Sequence, residues 1–254
     1  MKFTFSGTGT SQGVPVIACS CEVCQSSDPR DKRLRTSGIL QSEKTTLVFD
    51  TGPDFRQQML RHDIQHLDAV VFTHQHKDHV AGLDDVRAYN YQQQQPMPIY
   101  GSDATLNHLK QEFAYVFAVK QYPGVPKLEL HPIKGRNSFP IGDIELQPIP
   151  VLHGEMPVLG FRTENFAYVT DANYIPSSSK NMLKGLDILV LNALRKAEHH
   201  SHFNLEQALA LIEKLQPKQA YLTHISHLMG THAETSKELP DGVEIAYDGL
   251  EVAW

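Results

Sequence analysis

The run His74-Gln75-His76-Lys77-Asp78-His79 follows directly on the apolar stretch Ala69-Val70-Val71-Phe72. It sets three imidazoles and a carboxylate at the end of what reads as a buried strand. Neither a packed core nor a solvated loop calls for that combination, whereas a metal site does. His74 and His76 stand two residues apart, so in extended backbone both rings face one side. Asp78 and His79 follow in a tight turn and can reach a second ion beside the first.

Outward from this run, short β-rich stretches alternate with helical ones. Residues 1–6, 47–49, 69–72, 99–100, 144–149, 166–169, 188–191 and 220–222 read as strands. Residues 54–61, 104–113 and 205–215 carry helical spacing. In the last, Leu205, Leu209, Ile212 and Leu215 fall on one face, and Asn204 is placed to cap it. Gln92 to Gln95 before Pro96 reads as a helix end or exposed loop, and Pro123-Gly124-Val125-Pro126 as a turn. With no long linker and no internal repeat, the alternation predicts one α/β unit over residues 1–254.

Hydrophobic residues make up 41% of the chain and charged residues 20%, an ordinary globular composition. The net charge of -6 argues against a large nucleic-acid footprint, which shows as a basic surface. The local basic run Arg30, Lys32, Arg33 and Arg35 reads as a solvated loop. No apolar stretch approaches the ~20 residues that span a membrane. The N-terminus reads as a strand, without the charged, apolar and small-residue regions of a signal peptide. The expectation is a cytoplasmic chain without a membrane partner; a homodimer is left open.

A two-ion site needs more ligands than the opening run supplies, and three later strand ends offer them. They are His153 in Pro150-Val151-Leu152-His153-Gly154, Asp171 in Tyr168-Val169-Thr170-Asp171-Ala172, and His224 in Tyr221-Leu222-Thr223-His224. Singly each is weak; in the order HxHxDH, His, Asp, His they are strong. The only cysteines, Cys19, Cys21 and Cys24, form a CxCxxC loop. An odd, clustered set is not a disulfide framework and suits a closed tetrahedral zinc site, which needs one more ligand. His227 is the best fourth ligand, with His232 as rival. The Gly7 to Gly13 loop lacks the Gly-Lys-Ser/Thr ending of a P-loop and reads as a tight turn bordering the site.

From Gly7-Thr8-Gly9-Thr10 to Asp248-Gly249, the chain resembles the metallo-β-lactamase superfamily. The resemblance rests on the ordered ligands and on Leu47-Val48-Phe49-Asp50-Thr51-Gly52, which matches the family's strand-Asp-x-Gly element. It implies an αββα sandwich, an α/β fold with its site at one edge of the paired sheets. Carried over by position, His74, His76 and His153 hold one ion, Asp78, His79 and His224 the other, and Asp171 bridges them. Asp50 then supports the ligands without being one. Two divalent ions would exceed the charge of Asp78 and Asp171, attract an anion, and lower the pKa of a bridging water.

Departures from other branches narrow the substrate. The β-lactamase branch commonly has cysteine where Asp171 stands. The glyoxalase II branch carries a helical C-terminal domain, and too few residues follow His224 for one. The tRNA-processing branch inserts a long basic arm, absent here. The segment from Gly7 to Pro15, the CxCxxC loop, the HxHxDH run and Leu222 to His227 resemble the phosphoribosyl 1,2-cyclic phosphate phosphodiesterase group. That resemblance places the general acid in His199-His200-Ser201-His202-Phe203-Asn204-Leu205, with the match at His202 and His200 next. The expectation is therefore a dinuclear phosphodiesterase of a small diester, cyclic ones included. A hydroxide held between two zinc or manganese ions attacks, His202 and Asp78 are the catalytic residues, and a structural zinc sits at the cysteines. Two other readings stay open on the sequence: an ester or lactone hydrolase, and a non-hydrolytic protein like the pyrroloquinoline-quinone biosynthesis protein B.

Overall fold

A computed structural model describes all of residues 1–254. In chain order the elements are β1 (Lys2–Gly7), α1 (Glu22–Gln25), β2 (Ser37–Gln41), β3 (Thr46–Phe49), α2 (Phe55–Arg61), β4 (Ala69–Val71), α3 (Lys77–Val80), α4 (Arg87–Gln93), β5 (Met97–Gly101), α5 (Asp103–Glu112), β6 (Leu128–Pro132), β7 (Phe139–Ile141), β8 (Ile144–His153), β9 (Met156–Thr163), β10 (Phe166–Val169), α6 (Ser177–Met182), β11 (Ile188–Asn192), α7 (Leu205–Leu215), β12 (Gln219–Thr223), α8 (His232–Thr235), β13 (Val243–Ile245) and β14 (Glu251–Ala253). The strands build two seven-stranded sheets, ordered β14-β1-β2-β3-β4-β5-β6 and β13-β12-β11-β10-β9-β8-β7.

The two-residue period of each strand sorts its side chains between layers. Leu47 and Phe49 of β3, Ala69 and Val71 of β4, and Phe166 and Tyr168 of β10 meet between the sheets, together with Phe3 and Phe5 of β1. The rings of Phe49 and Tyr168 stack there at 5.0 Å. The alternate residues Val48 and Val70 face outward, under Met59 of α2 and Leu106 of α5. Val169, Leu189 and Leu191 face outward on the second sheet, under Ala208, Leu211 and Ile212 of α7. Because helices cover both outer faces, the central strands are buried on both sides and read as unbroken apolar runs. Each large side chain fully buried this way contributes roughly 1.5–3 kcal/mol. The result is the αββα sandwich expected.

Strand direction gathers the site. β3, β4, β5 and β6 are parallel, as are β10, β11, β12 and β13. β8 is antiparallel to β9, and β9 to β10, so β8 points the same way as β10. The carboxyl ends of β3, β4, β8, β10 and β12 therefore open on one edge, where α/β sheets hold their ligands. A direct bond joins the two sheets there: Leu159 N–H of β9 donates to Thr73 O at 3.1 Å.

Several sequence expectations need correction. On α7 the buried face is Leu205, Ala208, Leu211, Ile212 and Leu215, and Leu209 is only partly packed. Asn204 caps the helix as expected, in a reciprocal capping box with Gln207. Arg33 does not lie in a solvated loop. Its guanidinium is buried and donates to Thr8 Oγ1 at 2.9 Å and to Ala246 O, with the Asp248 carboxylate nearby. A buried charge requires such partners. No helix is long and apolar enough to cross a membrane.

Candidate metal centre

Each residue selected for the two-ion site arrives at the shared edge. His74 and His76 follow β4, and Asp78 and His79 lie in the first turn of α3. His153 ends β8, Asp171 stands two residues beyond β10, and His224 follows β12. Asp50, Asp171 and His224 all adopt left-handed backbone, with φ of 63°, 57° and 58°. A non-glycine residue held there costs of order 1–3 kcal/mol, and persists only where its surroundings over-determine it. Asn192 supplies part of that constraint beside Asp171. Its carboxamide accepts from Ala172 N–H at 2.8 Å and donates to Ala172 O at 3.0 Å.

The donor atoms fall into two groups. His74, His76 and His153 form one, and Asp78, His79, Asp171 and His224 the other, with donor atoms inside each within 4.8 Å of one another. Asp171 Oδ2 lies 3.3 Å from His79 Nε2 and 3.9 Å from His74 Nε2, and so stands between the groups. Asp78 Oδ2 lies 3.3 Å from His79 Nε2. Ligands about 2.1 Å from a common ion are separated by about 3.0–3.4 Å, which the two 3.3 Å edges match and the 3.9 Å edge to His74 exceeds.

The outer face of four of the five rings, all but His76, is already engaged. His79 donates Nδ1–H to Asp50 Oδ2 at 2.7 Å. His74 donates to Thr73 Oγ1 at 3.0 Å, and that hydroxyl donates in turn to Asp50 Oδ2 at 2.8 Å. Asp50 therefore orients two of the rings at once. His153 donates Nδ1–H to Ser201 O at 2.7 Å. The Thr36 hydroxyl gives its proton to Gly9 O at 2.8 Å, so it can accept from His224 Nδ1 at 3.1 Å, an atom that also stands 3.1 Å from Asp171 Oδ1. Such partners fix ring orientation in metal sites and raise ligand basicity.

The inward atoms lack partners. His74 Nε2 and His79 Nε2 are buried without any hydrogen bond. Polar atoms left bare in a core are costly, and a cation between them resolves the deficit. The electrostatics agree. Burial drives the His74 imidazole well below its ordinary range, which keeps it neutral and able to ligate. Burial alone would raise the Asp171 carboxyl, but His224 and His79 outweigh it and hold Asp171 well below the usual range. His79 is driven the opposite way: against its own burial, Asp171, Asp78 and Asp50 hold it well above 6.5. Three carboxylates thus converge on one buried imidazole, an anionic site that fits cationic metal.

His202 lies beside the same donor groups. It is buried, and one of its ring nitrogens lies within 4.8 Å of donor atoms of both His153 and Asp171. Its ring centroid is 4.5 Å from that of His153 and 4.8 Å from that of His224. Its Nδ1 has no partner. His200, the second choice for the general acid, is exposed.

The cysteine loop forms a separate cluster. Cys19, Cys21 and Cys24 present Sγ at 3.3, 3.4 and 3.6 Å from His227 Nδ1. Sulfur at about 2.3 Å and nitrogen at about 2.1 Å from a tetrahedral ion stand about 3.6 Å apart, so the cluster has zinc dimensions. The Cys24 N–H and His227 pull the Cys21 thiol down to about 6, whereas burial pushes Cys24 up to about 11. A metal would have to displace the Cys24 proton. His232, the rival fourth ligand, is not here. Its Nδ1 lies 3.4 Å from the Arg33 guanidinium, and its N–H donates to Asp31.

Sequence reasoning missed Thr36, Thr73, Ser201 and Asn173, which hold the ligands or the His202 loop from behind. Nothing in their spacing marks them, because each acts across distant segments.

The two covered sheets, with paired His and Asp groups at the carboxyl edge, define the metallo-β-lactamase fold. A family model described as the Beta-lactamase superfamily domain matches residues 45–225, and the chain belongs to that superfamily. It is similar to a solved diphosphatase from the PhnP family, at 41% identity and a TM-score of 0.93, covering 100% of this chain and 97% of that one. It is 38% identical over 253 residues to an octanoyltransferase of Porphyromonas gingivalis (strain ATCC BAA-308 / W83), covering 99% of this chain and 51% of that protein. It is 27% identical over 222 residues to a ribonuclease Z of Synechococcus sp. (strain WH7803), covering 79% of this chain and 62% of that protein. The chain thus spans between half and two thirds of the length of these two curated relatives.

Proposed function

We propose that the chain is a dinuclear metal-dependent phosphodiesterase acting on a small phosphate diester, cyclic diesters included. The observation that carries this reading is Asp171 set between two donor groups, with His202 beside them. His74, His76 and His153 would hold one ion, Asp78, His79 and His224 the other, and Asp171 both. Two divalent ions there supply Lewis-acid charge against phosphate oxygens and a nucleophile at neutral pH.

The chain's own residues do the rest. Asp50, Thr73, Thr36 and the Ser201 carbonyl hold the imidazoles of His74, His79, His153 and His224 in one tautomer and orientation. Burial and His224 push the His202 imidazole down to about 3, so it stands neutral in the free site. A phosphate anion beside it favours the charged form, since an opposite charge within ~4–6 Å raises an imidazole. His202 can then take up a proton from solvent and pass it to the departing alkoxide.

The names diphosphatase and ribonuclease Z, borne by two of the similar proteins, both denote cleavage at phosphorus and support the reading. The name octanoyltransferase belongs to a protein about twice as long. Covalent acyl transfer through a thiol finds no support here, because all three cysteines sit with His227. A net charge of -6 favours a small diester over a long nucleic acid. Free clustered cysteines suit a reducing compartment, the cytoplasm. We also take residues 1–254 to act as one unit, since β14 pairs with β1 and joins both ends of the chain in one sheet.

The test is turnover of bis-p-nitrophenyl phosphate and of cyclic phosphates with added Mn²⁺ or Zn²⁺, beside a lactone panel. Diester turnover that depends on metal is expected; lactone turnover alone would move the reading to carbon. The structural role of the cysteines has its own test. Cys24→Ser is expected to remove one zinc per chain and to lower the melting temperature by roughly 10 °C, at ~2–4 °C per kcal/mol. The residual diester activity at low temperature should be little changed. Metal analysis and calorimetry check both.

A further inference from the structure

The loop that carries His202 is anchored by a residue that makes no hydrogen bond to the donor atoms. Asn173 stands two residues beyond Asp171. Its Oδ1 accepts from Gly154 N–H at 2.8 Å, in the turn directly after His153. Its Nδ2 donates to His200 O at 3.1 Å, in the loop that leads to His202. Its own N–H donates to Leu152 O at 3.0 Å. One short carboxamide therefore joins the segments that carry His153, Asp171 and His202. The job needs both an acceptor and a donor on one rigid planar group, which asparagine has and aspartate lacks. Three further ties hold the loop: His153 Nδ1 donates to Ser201 O at 2.7 Å, Phe203 N–H to Ala172 O at 2.8 Å, and Leu194 N–H to Phe203 O at 2.9 Å. The carboxamide closes the span between the His153 turn and the segment after Asp171.

We propose that Asn173 is a positioning residue for the reaction, setting His202 against the leaving oxygen by fixing its loop to the His153 turn. The proposal rests on the phosphodiesterase reading. A misplacement of ~1 Å at a reacting group can cost on the order of a hundredfold, so a lost anchor should appear in the step that His202 serves.

Two variants separate this from a merely structural role. Asn173→Asp keeps the acceptor for Gly154 and loses the donor to His200. Asn173→Leu keeps the branched shape at a larger volume, adds no charge and loses both bonds. In both, kcat for a diester with an alkoxide leaving group is expected to fall roughly ten- to a hundredfold. KM, the rate on p-nitrophenyl esters and the metal content should stay within ~3-fold of the parent. Added to His202→Ala, either change should cost nothing more, since the two act through one group. Amide hydrogen exchange at Ser201 to Phe203 should speed up in Asn173→Leu, whatever the activity. Equal losses on both leaving groups, full additivity with His202→Ala, or unchanged exchange would overturn the proposal while leaving the phosphodiesterase reading intact. A parent enzyme with no metal-dependent diester turnover would overturn both.

Discussion

Asp171→Asn is expected to lower kcat/KM on phosphodiesters by ~10³–10⁴-fold and to leave at most one ion at the dinuclear site. The side chain keeps its size and loses its charge. In the parent, Asp171 Oδ2 lies near both His79 Nε2 and His74 Nε2, and Oδ1 lies 3.1 Å from His224 Nδ1. A carboxamide cannot serve two cations from that position. Loss of several kcal/mol of transition-state charge stabilisation gives the stated range, at 1.36 kcal/mol per tenfold. Zinc at the cysteines should remain, which separates a local effect from unfolding. Stability of the metal-free protein supplies a second readout. The folded Asp171 carboxyl is held well below its unfolded value of about 3.9. Its stabilising contribution is therefore fully present above that value and lost as pH falls below it. Metal-free Asp171→Asn should be less stable than the parent at pH 7, with the gap narrowing in acid. Metal analysis, steady-state kinetics and denaturant titration at two pH values test this. A variant that kept both ions and most of its rate would remove Asp171 from the bridging position.

His202→Ala is expected to keep both ions and lose rate only where the leaving group needs a proton. General acid catalysis contributes ~10²–10⁴-fold, so alkyl diesters should slow by ~10²–10³-fold. A p-nitrophenolate departs without help, and its rate should change by less than ~5-fold. His202 touches the donor groups through ring packing, and its Nδ1 is free. Its removal should therefore leave the ligands in place. Equal losses on both leaving groups, or loss of metal, would mean that His202 acts as a ligand or as packing. The comparison needs paired alkyl and aryl diesters with metal content measured on each sample.

What could be read from the sequence was what local pattern encodes. The HxHxDH run after an apolar strand, and single His or Asp residues after later strands, marked every member of the two donor groups. Strand polarity explains why such scattered residues meet: parallel strands deliver their carboxyl ends to one edge. Asp50 was legible as a support, though not as the shared anchor of His74 and His79. β9 was not legible, because Pro157 and Gly160 read as strand breakers. In the fold, β10 pairs β9 only over Phe161 to Thr163, so Pro157 lies where β10 requires no bond. Arg33 looked solvated because its partners Thr8 and Ala246 are remote in sequence. The same distance hid Asn173 and Thr36. Only tertiary placement sets His227 beside the cysteines and sends His232 to Arg33 instead.

The central claim is that two ions held across Asp171 perform phosphodiester chemistry. Metal stoichiometry and diester turnover, measured on one sample during metal titration, test it most directly. The account predicts one tightly held zinc per chain at the cysteines, two further exchangeable ions, and turnover that rises as those two sites fill. Zinc at the cysteines alone, or full occupancy of the dinuclear site without diester turnover, would contradict it.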